Sequence, residues 1–191
     1  MNQQNKYNKI INAAIQVITE QGFEDTSVSQ IVRRAGVAQG TFYLYFQSKK
    51  ELVPAIAQMI LSDQLDRIQN RYGNTRSLDE LLDVLIDVTY EITAEYKELI
   101  MFCYSGLAYY YSFERWEEIY RPYYLWLENR LQELHKGSNV KFNNSLKYLA
   151  NFTINLIEHG AESFYLSGVD NGEVCIKSEL KYFLKNAIST S

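Results

Sequence analysis

The 191-residue sequence has few of the residues that interrupt helices. It contains two prolines and nine glycines, and its apolar residues recur at helical rather than alternating spacing almost throughout. The sequence has no run of about eighteen uninterrupted apolar residues, so we predict no membrane span. No basic N-terminal stretch precedes an apolar segment, so we predict no signal peptide. These absences predict an all-α, soluble protein of about nine helices, most simply located in the cytoplasm.

Residues that build catalytic and metal centres are also scarce. Cys103 and Cys175 are isolated thiols without the paired spacing of a zinc site, and buried or idle cysteines are favoured over a redox sensor. The two histidines lie far apart, and neither a nucleophile motif nor a phosphate-binding glycine loop is present. We therefore expect no enzyme activity, no cofactor and no metal.

Residues 26–52 have the pattern of two short helices around a tight turn, followed by the start of a third helix. Thr26 or Ser27 can cap the first helix, because a hydroxyl there accepts a hydrogen bond from an unpaired N–H group of the opening turn. Gly36 can adopt a left-handed conformation at no steric cost and so ends this helix. Its predicted buried face consists of Val28, Ile31, Val32 and Ala35.

The second helix of this pair is predicted from about Gln39 to Tyr45, with Phe42 and Phe46 facing inward. A helix of this size fits the major groove of DNA. Ser48 then caps a helix that opens with Lys49 and Lys50, where N–H groups and positive charge suit a phosphate. The segment is therefore a candidate helix-turn-helix, in which the second helix recognises DNA.

This segment resembles the DNA-binding domain of the tetracycline-repressor-like (TetR) family of bacterial regulators. The resemblance covers about the first quarter of the chain and is spread over several interlocking segments, so it is more specific than a single helix-turn-helix pattern. The matching segments are Lys9-Ile-Ile-Asn-Ala-Ala14, Gly22-Phe23, Thr26-Ser-Val28, Ala35-Gly-Val-Ala-Gln-Gly-Thr-Phe-Tyr43, Tyr45-Phe46 and Ser48-Lys-Lys-Glu-Leu52.

The resemblance implies which residues touch double-stranded operator DNA. Tyr43 is expected to place its hydroxyl on a phosphate, whereas Gln39 and Tyr45 are the better candidates for base edges. No arginine occupies the recognition helix, which removes the commonest guanine contact and leaves shape, water or thymine methyl groups as sources of specificity. The full predicted set is Ser27, Ser29, Gln39, Gly40, Thr41, Tyr43, Tyr45 and Lys49.

The net charge of −4 is unevenly distributed along the chain. Residues 1–60 carry six basic and four acidic side chains, whereas the remainder carries thirteen basic and nineteen acidic ones. An acidic body repels the phosphate backbone while a basic tip engages it, which orients the approach to DNA. The overall acidity therefore does not argue against DNA binding.

We predict a DNA-binding domain at residues 1–47 and an effector-binding and dimerisation domain at 48–191. After a helix over about 49–72, the spacing predicts helices near 78–96, 98–107 and 113–136, with a kink at Pro122. Two further amphipathic helices, at about 143–166 and 172–188, can pack against the same pair of a second copy as a four-helix bundle. The resemblance implies that this pair forms the homodimer interface.

Aromatic residues are abundant: the chain has sixteen tyrosines, nine phenylalanines and two tryptophans, many of them between Tyr90 and Trp126. Ordinary core packing explains any single one of them. Taken together, they favour a pocket for a small apolar or aromatic effector, and the resemblance implies an effector-binding core in this region. The predicted walls are Phe102, Tyr104, Tyr109, Trp116, Tyr120, Tyr123 and Tyr124.

A polar group interrupts the mostly apolar helix predicted over 143–166. Glu158, His159 and Glu162 share helix faces at spacings that metal sites also use, but a single histidine makes a weak metal site. Polar contact at the dimer interface is the favoured interpretation, and a carboxylate that reaches a cationic ligand is the alternative.

The sequence thus predicts a ligand-responsive, homodimeric transcriptional regulator, most simply a repressor released from a palindromic operator by its effector. Two alternatives stay open at this point. One is a ligand-independent DNA-binding regulator with a filled core. The other is a small-molecule-binding helical bundle without a DNA function.

Overall fold

The computed structural model describes residues 3–73, 77–110, 113–137, 145–166 and 172–188. Within these ranges the chain forms eight α-helices and one short 3₁₀ turn, and no strand, which confirms the all-α prediction. The helices are α1 Gln3–Gln21, α2 Val28–Ala35, α3 Gln39–Tyr43, α4 Leu52–Tyr72, α5 Leu78–Tyr110, α6 Phe113–Gly137, α7 Leu146–Leu166 and α8 Glu173–Ile188, and the 3₁₀ turn is Lys49–Glu51.

Helix α5 joins the two helices that were expected at 78–96 and 98–107. Only Tyr96 leaves helical geometry, at φ −104° and ψ 15°. Neither glycine nor proline occurs between Leu78 and Ser105, so nothing in this stretch stops the helix after the distorted residue. The described part of the chain therefore has eight α-helices rather than nine, with a kink where the sequence predicted a break.

Local capping sets the ends of helix α2, as predicted. The Ser27 hydroxyl accepts a hydrogen bond from the Gln30 backbone N–H at 3.3 Å, and the Gln30 side chain accepts one from the Ser27 N–H at 2.7 Å. Thr26, the other candidate cap, instead donates to the Gly22 carbonyl at 2.6 Å. Gly36 ends the helix with φ 65° and ψ 37°, the left-handed conformation expected from the sequence.

The chain divides into two compact units. The head unit comprises Met1–Met59 and Glu98–Trp116, and the core unit comprises Ile60–Lys97 and Glu117–Ser191. Helices α1 and α2 pack together in the head unit, whose buried side chains include Ile10, Ala14, Ile31, Phe42, Phe46 and Leu52. Burial of each large apolar side chain contributes about 1.5–3 kcal/mol, so this small set anchors the helix-turn-helix.

In the core unit, helices α5, α7 and α8 pack closely around a shared apolar interior. A Cβ atom on Gly160 would lie 3.3 Å from the Tyr90 hydroxyl and 3.4 Å from Leu180, so a side chain there would push α5 and α8 away. Acidic residues of α5 also pair with lysines of α8. The fully buried apolar side chains of α5 in this unit are Leu81, Leu82, Leu85, Val88, Tyr90 and Ile92.

Candidate functional site

The recognition helix α3 presents polar side chains outward and one phenylalanine inward. Gln39 and Gly40 are exposed, Thr41 is half-buried, and Tyr43 keeps 52% of its surface accessible. Phe42 is fully buried, and Phe46 packs beside it with ring centroids 5.1 Å apart. The two phenylalanines therefore orient the helix, which leaves its outer face available for DNA.

Tyr45 follows helix α3 and is less free than Tyr43. Its ring packs edge-on against Tyr7 of α1, with centroids 5.8 Å apart, and against Phe46 at 6.4 Å. These contacts hold the ring at the edge of the head unit. Its predicted contact with a base edge stays a prediction.

Ser27 and Ser29 lie exposed at the opening turn of α2. Their hydroxyl oxygens are 2.9 Å apart, and Ser27 also serves as the helix cap. The N-terminus of a helix favours a phosphate because free N–H groups point outward there. The two serines are thus placed at a surface that suits the DNA backbone.

Lys49 makes contacts within the head unit that the sequence did not predict. Its ammonium group donates to the backbone carbonyls of Phe23 at 2.6 Å, Thr26 at 2.7 Å and Glu24 at 3.3 Å. It also lies 4.3 Å above the centre of the Phe23 ring. Lys49 therefore fastens the loop between α1 and α2, in addition to any contact it makes with a phosphate.

Leu44 is a surface residue that the sequence analysis missed. It directly follows α3 and has 80% of its surface exposed. A leucine so exposed beside a recognition helix can meet a thymine methyl group, which is an apolar feature of the major groove. One feature of the sequence could have identified Leu44: it is an apolar residue between Tyr43 and Tyr45 that does not share the helical spacing of Phe42 and Phe46.

The predicted aromatic walls divide between the two units. Tyr120, Tyr123 and Tyr124 of α6 belong to the core unit and lie close together. Phe102, Tyr104 and Trp116 belong to the head unit, where Phe102 packs against Phe23 with centroids 5.0 Å apart and Tyr104 is half exposed. The Tyr109 side chain lies outside the described residues.

The three tyrosines of α6 surround a buried carboxyl group. The Tyr120 hydroxyl donates to Glu158 Oε2 at 2.9 Å, and the Tyr120 and Tyr124 rings stack with centroids 5.5 Å apart. Beneath them, the buried Gln64 amide donates to the Thr89 hydroxyl at 2.9 Å. We call this group, contributed by helices α4 to α7, the Glu158 cluster: Gln64, Thr89, Tyr120, Tyr123, Tyr124, Asn155 and Glu158.

Burial controls the protonation of this cluster. It raises the pKa of Glu158 to about 8, while hydrogen bonding from Tyr120 and Gln64 opposes the shift and the charge of Glu162 adds to it. Burial likewise raises the pKa of Tyr124 to about 12, opposed by hydrogen bonding with Asn155. The pKa of the Tyr123 hydroxyl also rises, first through burial and then through the charge of Glu158.

The polar group predicted at 158–162 is split between two faces of α7. Glu158 turns toward α6, whereas His159 is exposed to solvent. The Glu158 carboxyl group thus has a hydrogen-bond partner within its own chain, and a polar contact of this group across a dimer interface stays a prediction. Among the described residues, no group of three or more potential ligands is placed to hold a metal ion.

Helices α7 and α8 leave large apolar side chains uncovered. On α7, Tyr148 and Phe152 stack with centroids 6.3 Å apart and are 59% and 67% exposed, and they line an open groove with Ser145 and Leu149. On α8 the exposed apolar side chains are Val174, Tyr182 and Phe183. None of the described helices is both long and apolar enough to cross a membrane.

Comparison with known proteins gives matches along most of the chain. Residues 10–56 match the profile of bacterial regulatory proteins of the tetR family, and residues 82–188 match that of the tetracyclin repressor-like C-terminal domain. The chain is 45% identical over 187 residues to the uncharacterized HTH-type transcriptional regulator YvdT of Bacillus subtilis, with 97% of this chain and 96% of that protein covered.

Solved structures with the same fold include two transcriptional regulators named FadR. FadR of Bacillus subtilis in complex with stearoyl-CoA superposes with a TM-score of 0.76 at 22% identity, covering 95% of this chain and 99% of that one. FadR of Thermus thermophilus in complex with lauroyl-CoA gives a TM-score of 0.73 at 18% identity, covering 96% and 95% of the two chains. At these identities the likeness concerns the fold.

Proposed function

Since this chain belongs to the TetR family of bacterial regulatory proteins, we propose that it is a homodimeric repressor that leaves a palindromic operator when an effector enters its core unit. The observation that carries the proposal is the outward face of α3. Buried Phe42 fixes the orientation of this helix, and the outward face carries exposed Gln39 and the half-exposed Tyr43, whose ring packs edge-on against Phe42. Because its proposed operator is bacterial DNA, we also propose that the protein is located in the cytoplasm.

The proposed DNA contacts follow from the exposed surface of the head unit. Ser27, Ser29 and Tyr43 contact phosphates, and Lys49 adds positive charge beside them. Gln39, Thr41 and Tyr45 reach base edges. Gly40 faces open space and has no side chain, so its backbone can approach the groove closely. Leu44 adds an apolar contact to this surface.

Dimerisation is proposed through α7 and α8. The exposed apolar side chains of these helices form faces that water solvates poorly, and a second copy of the same pair would cover them. An isologous interface of this kind gives the two-fold symmetry that a palindromic operator requires. Two heads held one helical turn apart along DNA then bind together, whereas heads at another spacing do not.

The effector is proposed to act from within the core unit. The fold neighbours that were crystallised with acyl-CoA molecules support a ligand-responsive core in this architecture. The Glu158 cluster supplies polar groups inside an aromatic setting, which is the usual makeup of a small-molecule site. An effector that binds one head spacing better than the other shifts the dimer toward that spacing.

A gel-shift titration at low salt, over DNA upstream of the protein's own gene and its neighbours, tests this proposal. We expect one fragment to bind in preference to the others, and Tyr43→Ala to weaken that binding about tenfold or more, by about 1.4 kcal/mol. Gln132→Ala, an exposed change on α6 of the core unit, serves as the control and should bind normally. Failure to bind any of these fragments would overturn the proposed function.

A further inference from the structure

We infer that the Glu158 cluster binds the head group of an organic ammonium ion, an apolar molecule that carries a quaternary or protonated nitrogen. This inference rests on the proposed function, since it names the chemical class of the effector. It concerns residues of the core unit alone.

The first argument is a buried carboxyl group without a counter-ion. The groups that interact with it are Tyr120, Tyr123 and Tyr124 on α6, Gln64 on α4 and Glu162 on α7. Around them, Thr89 of α5 hydrogen-bonds with Tyr123, and the charge of Glu117 acts on Tyr124. In the described ranges, no basic side chain pairs with Glu158. A charged carboxylate in this setting is costly, and an approaching cation would remove that cost.

The second argument is the aromatic surroundings of the carboxyl group. The Tyr120 and Tyr124 rings stack beside it with an interplanar angle of 25°, and Tyr120 also donates its hydroxyl to Glu158. The faces of tyrosine rings attract ammonium groups, most strongly where water is excluded. A carboxylate that is hydrogen-bonded to one of two stacked tyrosines therefore combines in one cluster the two attractions that a quaternary nitrogen needs.

The third argument is accessibility. Burial is the largest cause of the raised pKa of Glu158, yet the residue as a whole has an intermediate solvent exposure. The residue as a whole is therefore not sealed from solvent, although neighbours on α4 and α6 desolvate its carboxyl group. Two turns earlier on the same face of α7, the buried Asn151 Oδ1 has no hydrogen-bond partner and offers a further acceptor.

The same geometry disfavours an anionic head group at this position. A carboxylate or phosphate beside Glu158 would place like charges together, with Glu162 adding to the repulsion. No basic group in the described part of the cluster offsets that repulsion. The site should therefore bind an apolar molecule with an ammonium head group in preference to one with a carboxylate, because only the ammonium charge is opposite to that of Glu158.

Titration calorimetry with three probes of equal chain length tests the inference: decyltrimethylammonium and decanoate below their micelle concentrations, and decanol below its solubility limit. With the full-length protein at pH 8, we expect the cation to bind at least about tenfold more tightly than decanol, as one charge-assisted contact of about 1.4 kcal/mol predicts. Decanoate should bind most weakly.

The matched variants are Glu158→Gln, which keeps the shape and removes the charge, and Asp66→Asn, an exposed change of the same charge on α4. Glu158→Gln should bind the cation and decanol equally, and Asp66→Asn should behave as the wild type. Thermal unfolding of each variant verifies that it is folded.

The affinity for the permanently charged probe should also depend on pH. Below pH 8 the free site holds a protonated Glu158, which must lose its proton when the cation binds. The association constant should therefore rise by up to tenfold per unit between pH 6 and 8, and level off above that. Glu158→Gln should abolish this rise.

Three results would overturn the inference. These are equal or tighter binding of decanol or decanoate by the wild type, a preference for the cation that survives Glu158→Gln, and no binding of any probe. Operator binding by gel shift, measured on the same preparations, decides the proposed function independently. A protein that binds its operator but prefers decanoate would keep the proposed function and lose the ammonium site.

Discussion

Lys49 shows how one residue can serve both the fold and a functional surface. Its ammonium group has three protons, and the carbonyls of Phe23, Glu24 and Thr26 accept from it. These carbonyls belong to the loop that leads into α2, the helix whose opening turn is proposed to meet phosphate. Loss of the lysine should therefore loosen the loop as well as remove a positive charge.

Lys49→Met tests this pair of roles, because it retains an apolar chain over Phe23 and removes the charged donor. We expect the free energy of unfolding to fall by about 1–2 kcal/mol, because a charged donor is lost to acceptors that are partly buried or exposed. Operator affinity should fall too, and the salt dependence of binding should decrease by about one ion if the charge acts on a phosphate.

Urea unfolding and gel shifts at several salt concentrations measure both effects, with Lys97→Met, a change at an exposed lysine of α5, as the control. An unchanged salt dependence together with a lower stability would assign Lys49 to the loop alone. Unchanged stability would contradict the hydrogen bonding described above.

At the scale of elements, helices α5 and α8 are joined by a row of ion pairs. Lys177 lies 3.3 Å from Asp87, Lys181 2.5 Å from Asp83 and Lys185 2.9 Å from Asp79. The numbers rise along α8 as they fall along α5, so the two helices run antiparallel. The four-residue spacing of the lysines, visible in the sequence, thus marks the side of α8 that faces α5.

We expect these ion pairs to orient α8 more than to stabilise it. The paired side chains are partly exposed, and such pairs contribute about 0.2–1 kcal/mol each. Lys181→Gln should therefore lower the free energy of unfolding by less than about 1 kcal/mol, and 1 M NaCl should reduce the difference further. Lys136→Gln on α6 is the control in urea unfolding. A loss above about 2 kcal/mol that persists in high salt would contradict this estimate.

At the scale of the whole molecule, the uncovered apolar faces of α7 and α8 are the surfaces that we propose a second copy covers. Phe152 is the most exposed aromatic side chain of α7 and stacks on Tyr148. A charge placed there would be buried without a counter-ion in the proposed interface. Phe152→Glu should therefore turn a micromolar solution of dimers into monomers and weaken operator binding at least about tenfold, because two linked heads bind with an avidity that one head lacks.

Sedimentation velocity and gel shifts on the same preparations measure both parts of this prediction. Leu125→Glu is the matched control, since Leu125 is also a half-exposed apolar side chain but lies on α6. A Phe152→Glu protein that remains dimeric would exclude this face as the interface. A monomeric wild type that binds its operator normally would exclude the dimer itself.

The sequence alone predicted those features that depend on neighbours within about four residues. Capping of α2 by Ser27, the left-handed stop at Gly36 and the inward placement of Phe42 and Phe46 all follow from local hydrogen bonding and helical spacing. The helix-turn-helix and the all-α class were predictable for the same reason. The sequence also predicted an interruption of the helix near Tyr96, but it did not predict that the helix continues beyond this residue.

Only the tertiary structure decided which distant residues meet. Lys49 bonds to carbonyls 23 to 26 positions earlier, and Glu158 finds Tyr120 from another helix. A helical pattern shows that Glu158 lies at the border of an apolar face, but the packing of α6 determines that the carboxyl group turns inward and is desolvated. Local physics therefore determined the helices and the DNA-recognition motif, whereas long-range packing determined the role of each charged side chain, because burial and partners depend on the whole fold.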